Sequence, residues 1–257
     1  MAKTRAQTYT APALEKGLDI IELLSRQEVG LSQSEIARAL GRSVGEIFRM
    51  LMVLETRGYV AQDPQSDRYA LTTFLFEIAH RIPTIGRLTA MAEPVMQALT
   101  REINQSAHLA VLGEDGVLVV SQSNPPGNNI MSVRLGARID LWRASSGRVI
   151  LAFRSPEMLA RIMEDVPLPA GASATQIRED LAALRAAGHE VRDSFMVKGV
   201  VNISAPVFDH SGQAAAALTV PHIERINDPV GFEACRIAVV AAAGRISRSL
   251  GWVGAQE

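Results

Sequence analysis

Two stretches of this chain carry polar side chains at spacings that suit recognition of a base edge or an anion. The first is Ser43-Val44-Gly45-Glu46, with Arg49 one turn further on. Near a helix start, an arginine can grip a guanine edge through two parallel hydrogen bonds, and a glutamate can accept from a cytosine amine. A plainer reading of Glu46 is favoured. It stands three residues after Ser43, the spacing of a capping box, and three before Arg49, which also allows an ion pair. The second stretch is Ser145-Ser146-Gly147 ahead of the apolar run Val149-Ile150-Leu151. Free amides at such a helix start, with the helix dipole behind them, favour an anion; simple capping by Ser145 is equally compatible.

Covalent and metal chemistry find little support. No Gly-x-Ser-x-Gly nucleophile elbow, Walker loop, His-Glu-x-x-His motif or Rossmann fingerprint is expected. The five histidines, His80, His108, His189, His210 and His222, lack metal-ligand spacing. His222, beside Pro221, is the one placed near a binding site, for a hydrogen bond rather than proton transfer. The single cysteine, Cys235, excludes an intramolecular disulfide and a multi-thiolate zinc site. No catalytic residue, metal ligand or cofactor is therefore expected, and the chain is read as a non-enzyme.

The first polar stretch needs a scaffold, and the N-terminal third supplies one. Pro12 starts an amphipathic helix to about Gln27, with Leu14, Leu18, Ile21 and Leu24 at helical spacing. Ser32-Gln33-Ser34-Glu35 is a capping box for a short helix that turns Ile36, Ala37 and Leu40 inward and stops at Gly41. Ser43 to Glu46 repeats the box and opens a helix carrying Ile47, Met50, Leu51 and Leu54, closed by Gly58. Two short strands, Tyr59 to Ala61 and Arg68 to Leu71, flank the turn-rich Asp63 to Asp67. The pattern predicts a winged helix-turn-helix, against the alternative of a three-helix packing domain that touches no nucleic acid. The DNA-facing candidates are Gln33, Ser34, Val44, Gly45, Glu46 and Arg49. Arg42, Ser43, Arg68 and the arm residues Lys3 and Arg5 are the candidate phosphate contacts.

Charge does not decide the matter. Residues 1–70 hold nine basic and nine acidic side chains, and the whole chain has a net charge of −1. Two-fold copies would double the few phosphate contacts available and demand inverted half-sites.

The remaining two-thirds of the 257 residues alternate strands and helices, an α+β or α/β pattern. A linker helix is expected over 73–90, between a winged helix-turn-helix over 1–72 (with a flexible arm over 1–11) and a second domain over 91–257. Pro83 and Gly86 are expected to break the chain before a helix from about Leu88 to Ile103, with Pro94 kinking or restarting it. His108 to Leu112 and Val117 to Ser121 flank Gly113 to Gly116 as a hairpin. In a second hairpin, Val201 to Phe208 and Ala214 to Val220 flank Asp209 to Gly212. If Phe208 pairs with Gln213, Asn202 stands opposite Thr219, with Asn202 and Ser204 on one face and Ile203, Ala205 and Val207 on the other. Small polar groups there suit a pocket wall or a bond to each other. A terminal helix is expected from Glu233 to Leu250, burying Cys235.

No apolar run approaches a membrane span, and Met1 to Pro12 lacks the apolar stretch of a signal peptide. The expectation is a soluble, cytoplasmic protein.

Gly17-Leu18-Asp19-Ile20, Leu31 to Ala37, Ile47-Phe48-Arg49-Met50-Leu51, Leu54 to Val60, Pro94 to Leu99, Ser145 to Arg148, Gly188 and Ala205 to Gly212 fall in the order of one family. In these residues the chain resembles the IclR (isocitrate lyase regulator) family of bacterial transcription factors over nearly its whole length. That resemblance implies a winged helix-turn-helix on double-stranded operator DNA, a GAF-like effector-binding domain, and a homodimer or homotetramer. Carried over by position, it implies Ser145, Ser146, Asn202, Thr219 and Pro221 as effector contacts, with Arg192 at a further pocket position. Met131, Leu141, Trp142 and Phe195 are candidate apolar walls or core residues. Arg134, Arg143 and Lys198 lie in segments bordering the pocket. The expected effector is a small anionic catabolic metabolite, a carboxylate. Val44-Gly45-Glu46 replaces the Lys-Ser-Thr common in the family, so operator specificity is not transferable. Two other readings compete: an enzyme with a helix-turn-helix appendage, and a DNA-binding scaffold whose second domain only oligomerises.

Overall fold

The computed structural model describes residues 11–80, 83–114, 116–126, 131–226 and 230–254. The chain divides into two compact units, Met1–Pro83 and Thr84–Glu257. The arm residues Lys3 and Arg5 lie outside the described residues.

The first unit is a winged helix-turn-helix. Helix α1 (Pro12–Leu24) begins with proline in its first turn, where no amide partner is lost. It stops short of Gln27 because Arg26 and Gln27 donate three residues back, to Leu23 and Leu24, tightening the last turn. Strand β1 (Leu31–Ser32) leads into α2 (Gln33–Ala39), and α3 (Val44–Thr56) follows. Both α2 and α3 have complete capping boxes, at Ser32/Glu35 and Ser43/Glu46. The wing is β2 (Val60–Gln62) and β3 (Arg68–Leu71), paired antiparallel with Val60 opposite Leu71. β1 adds a third strand that sequence reading missed, setting Leu31 against Tyr69. Ile20, Ile36, Ile47, Leu51, Leu54, Val60 and Tyr69 form the shared core.

The single linker helix expected over 73–90 is instead two elements, α4 (Phe74–His80) and α5 (Pro83–Ile103). Pro83 starts a helix rather than breaking the chain, because the first position has no intrahelical amide bond to lose. α5 also runs through Gly86 and Pro94. Pro94 lies on its exposed side, where water can take the carbonyl left without a partner. Leu88, Ala92, Met96, Leu99 and Ile103 hold the opposite side in the core.

In the second unit, strands β4 (Ala107–Leu112), β5 (Gly116–Ser123) and β6 (Arg138–Asp140) precede three helices. These are α6 (Ser145–Ala152), α7 (Pro156–Asp165) and α8 (Ala174–Ala187). Strands β7 (Glu190–Asp193), β8 (Val200–Phe208) and β9 (Ala214–Ile223), then α9 (Phe232–Ser249), complete the chain. The six strands form one antiparallel sheet in the order β6-β5-β4-β9-β8-β7. Leu109, Ile203, Ala205, Val207, Leu218 and Val220 pack on α5 and α9. On the other face, Ala110 and Ala217 join the apolar sides of α6 and α8. The architecture is mixed α+β, with helices packed on both faces of the antiparallel sheet.

The β8–β9 register differs from expectation. Ser204 stands opposite Thr219, and Asn202 opposite Pro221, because the register shifts between Val207 and Phe208 and Phe208 meets Ala214. Meeting Ala214 instead of Gln213 offsets the pairing by one position and the bulge adds a second, so the total of two keeps every side chain on the face that alternation gave it.

One contact fixes α6 against the preceding loop. A Cβ on Gly147 would lie 2.1 Å from the Leu141 carbonyl oxygen. Gly147→Ala should therefore destabilise the second unit by about 1–3 kcal/mol through overpacking. Gly17→Ala, mid-helix with nothing within 4 Å of its Cβ, should stabilise the first unit by about 0.5–1 kcal/mol. Urea unfolding of both variants checks the opposite signs.

Candidate functional site

The outward surface of the helix-turn-helix is set by which polar groups the fold consumes. Glu46 is consumed twice. Its Oε2 accepts from the Ser43 amide at 3.1 Å and the Ser43 hydroxyl at 2.8 Å, and its Oε1 lies 2.5 Å from Lys16 Nζ on α1. The Lys16 hydrogen bond, then those from Ser43, lower its pKa to about 2. Lys16 and the cap at Ser43, not a pairing with Arg49, hold this carboxylate. Gln33 Nε2 donates to the Val44 carbonyl at 3.0 Å, tying the starts of α2 and α3 together. Ser34 is exposed, its hydroxyl 3.2 Å from that of Ser32. Arg42 lies 3.7 Å from Asp19. Arg68 donates to the Gly30 carbonyl at 2.5 Å and to Glu35 Oε1 at 3.1 Å, stapling the wing to α2 rather than standing free. Val44, Gly45 and Arg49 remain exposed, and Arg49 has no hydrogen bond or ion pair among the described residues.

Gly41-Arg42-Ser43-Val44-Gly45 does spell the Gly-x-Ser-x-Gly pattern of a nucleophile elbow, which sequence reading had counted as absent. The context rules the elbow out. Ser43 lies between two helices, not after a strand, and its hydroxyl is spent on the capping box.

The second site is a cavity of about 80 Å³ on the α6 face of the sheet. Ser145 and Ser146 at the start of α6 line it, as do Asn202, Thr219 and Pro221 on β8 and β9 and Met131 from the preceding loop. Val133, Ile139, Phe195 and Val200 add apolar wall. Ser145 does not cap α6: Ala144 occupies that position without a side-chain bond. The Ser145 hydroxyl is buried and unpartnered. Thr219 is bound to Ser204 at 2.7 Å, so the hydroxyl pair across the hairpin is Ser204–Thr219.

Sequence reading missed His108, which lines the same cavity. It lies on β4 opposite Thr219, fully buried in the wall, with its Nδ1 unpartnered. Burial lowers its pKa to about 4, so the imidazole is neutral near pH 7. No local motif marks it, because its position depends on pairing between strands more than a hundred residues apart.

Several expected contacts lie elsewhere. Arg134 is exposed and outside the cavity wall. Arg192, on edge strand β7, is 3.9 Å from Glu190 and lines a separate cleft with Trp142, Arg143 and Arg148. Leu141 and Trp142 are core residues. His222 packs edge-on against Phe232, away from Asn202 and Ser145. Arg143 stacks 4.6 Å above the Phe195 ring, touching the cavity wall from outside. Among the described residues no cluster of potential metal ligands occurs, and no helix is long and apolar enough to cross a membrane.

A winged helix-turn-helix with an open recognition helix, joined to an α/β unit with a polar-ended cavity, defines the class of ligand-binding transcription regulators. The comparisons name the family. The IclR helix-turn-helix domain matches residues 13–64, and the bacterial transcriptional regulator IclR C-terminal domain matches residues 85–248. The chain belongs to the IclR family. It is 31% identical to the glycerol operon regulatory protein of Streptomyces griseus over 93% of this chain and 96% of that one. With the transcriptional regulator KdgR of Escherichia coli K12 it shares 28% identity over 83% of each chain. Pseudomonas aeruginosa HmgR superposes with a TM-score of 0.74 at 25% identity, covering 94% of this chain and all of that one. An IclR homolog from Microbacterium hydrocarbonoxydans, solved with 4-hydroxybenzoate, shares the fold with a TM-score of 0.76 at 22% identity, over 93% and 98%.

The buried His108 makes a pH-dependent contribution. Its folded pKa lies below the ordinary value of 6.5, so the stability it allows is present above about pH 6.5 and is lost as pH falls toward 4. The loss should be about 3 kcal/mol across that window. Urea unfolding at pH 7 and pH 4.5 should show a smaller acid loss in His108→Gln than in the wild type.

Proposed function

We propose that this IclR-type regulator senses a small carboxylate held in the cavity between the start of α6 and the β8–β9 hairpin, and that it binds duplex operator DNA through α3. The observation that carries the effector assignment is the buried, unpartnered Ser145 hydroxyl facing a cavity that also holds an unpartnered His108 nitrogen. Leaving such groups unsatisfied costs about 1–3 kcal/mol each, which a polar ligand recovers. The amides at the start of α6 favour the anionic end, and a neutral His108 and Asn202 offer both donors and acceptors. Met131, Val133, Ile139 and Phe195 suit an apolar body. Arg192 and Arg134 are not part of this wall, so the helix start rather than a guanidinium answers the charge. The 4-hydroxybenzoate in the Microbacterium homolog is a compound of this class.

On the DNA side, the near-zero charge of the first unit favours paired copies, each placing one α3 in a half-site. The protein then acts in the cytoplasm as a homodimer or homotetramer. Effector binding alters DNA affinity only by favouring one of two conformations, as linkage requires.

Thermal unfolding of the full chain with a panel of aromatic and aliphatic monocarboxylic acids tests the effector assignment. A stabilising acid is expected, its methyl ester should stabilise less, and Ser145→Ala or Asn202→Leu should abolish the shift while leaving DNA binding intact. An unchanged shift in both variants places the ligand elsewhere. Arg49→Ala should lower discrimination between operator and random duplex by about 1–3 kcal/mol. Equal loss on both duplexes would make Arg49 a phosphate contact. Light scattering should find at least a dimer, and tight half-site binding by a monomer would refute paired reading.

A further inference from the structure

Helix α3 exposes more apolar surface than a solvated helix needs. Ile47, Leu51 and Leu54 take its buried side. Val44, Phe48 and Met52 recur every fourth residue and so form one stripe, 49%, 47% and 43% exposed. Gly45 and Arg49 run beside it, also exposed. A Cβ on Gly45 would meet nothing within 4 Å, so its missing side chain serves no packing need inside the chain. It leaves bare backbone where another surface can approach. Glu46, the one acid in the first turn, has both carboxylate oxygens engaged by Lys16 and Ser43.

What α3 presents is therefore one free guanidinium, a bare glycine and adjoining apolar side chains, at the helix end where this motif reaches base edges. In the major groove, the apolar group available to such side chains is the 5-methyl of thymine. We infer that Phe48, with Val44, reads thymine 5-methyl groups next to the base gripped by Arg49, so that apolar contact specifies the half-site alongside hydrogen bonding. This rests on the proposed reading of DNA by α3. A second copy seated on the same stripe is the competing occupant. Charge favours DNA, since two-fold self-contact there would bring the free Arg49 of each copy toward the other.

The experiment uses the full chain and two sets of duplexes. An operator is first selected from a randomised pool. It is then remade with deoxyuridine in place of thymidine, one position at a time, which removes only the methyl. Wild-type affinity should fall about fourfold for each contacted methyl, the equivalent of ~0.8 kcal/mol. Phe48→Ala should bind the parent operator more weakly and be indifferent to deoxyuridine at the positions Phe48 reads. If that variant fails to fold, the wild-type series still decides, and Phe48→Leu should retain part of the methyl sensitivity. A selected operator bound equally well with and without its methyls overturns the inference while leaving DNA reading by α3 intact. Failure of the selection to enrich any sequence overturns that reading itself, and the inference with it. A methyl-indifferent wild type together with an altered oligomeric state in Phe48→Ala assigns the stripe to a second copy.

Discussion

The second unit depends on the strict alternation of faces in its three central strands, β4, β9 and β8. Leu109, Leu218, Val220, Ile203, Ala205 and Val207 must be buried against α5 and α9, and that burial fixes the opposite face completely. His108, Thr219, Pro221, Asn202 and Ser204 are then carried to the α6 side together. None of these polar residues needs its own device to face the cavity. The apolar core on one side of the sheet positions the polar cluster on the other.

The floor so made is completed by the start of α6, and there the decisive contact is a close one. Gly147 lets the helix backbone approach the Leu141 carbonyl, which brings Ser145 and Ser146 down onto the sheet. The result is an unusual local economy. Ser145, the natural capping candidate, is left unbonded, while Ser204 and Thr219 satisfy each other. Burying a hydroxyl and an imidazole nitrogen without partners opposes folding, and a ligand that bonds both gains what the empty cavity forgoes. In the proposed reading, stability and ligand affinity are drawn from the same atoms.

The helix-turn-helix follows a comparable logic through charge. Lys16 from α1 and Ser43 from the cap of α3 share one carboxylate, so Glu46 links the supporting helix to the recognition helix. Arg68 and Glu35 do the same for the wing and α2. These pairs sit at the surface, where solvent screens each ion pair and its own contribution is small. Their consequence is selection: they withdraw most of the charged groups near the start of α3, and what remains outward is Arg49 and an apolar stripe. Recognition is shaped by what the fold removes from view.

The sequence by itself determined the features whose causes are local. Two capping boxes, Gly41 and Gly58 defined α2 and α3 because a hydroxyl and a carboxylate three residues apart satisfy the same helix start wherever they occur. Alternation in β8 put Asn202 and Ser204 on one face and the aliphatic residues on the other, and this survived the wrong register because alternation within a strand is independent of its partner, while the total offset of two, one from the turn and one from the bulge, kept Thr219 on that same face. The family followed from the order of many weak motifs. Tertiary structure alone decided what depends on distant segments meeting. β1 exists because Leu31 finds Tyr69 across the wing, Glu46 turns inward because Lys16 arrives from α1, and His108 enters the cavity because β4 pairs with β9. It also sent Arg192 into a neighbouring cleft, where edge strand β7 leaves it beside Glu190. Short-range hydrogen bonds are written in neighbouring residues, whereas contacts between remote segments are fixed only when the whole core is packed.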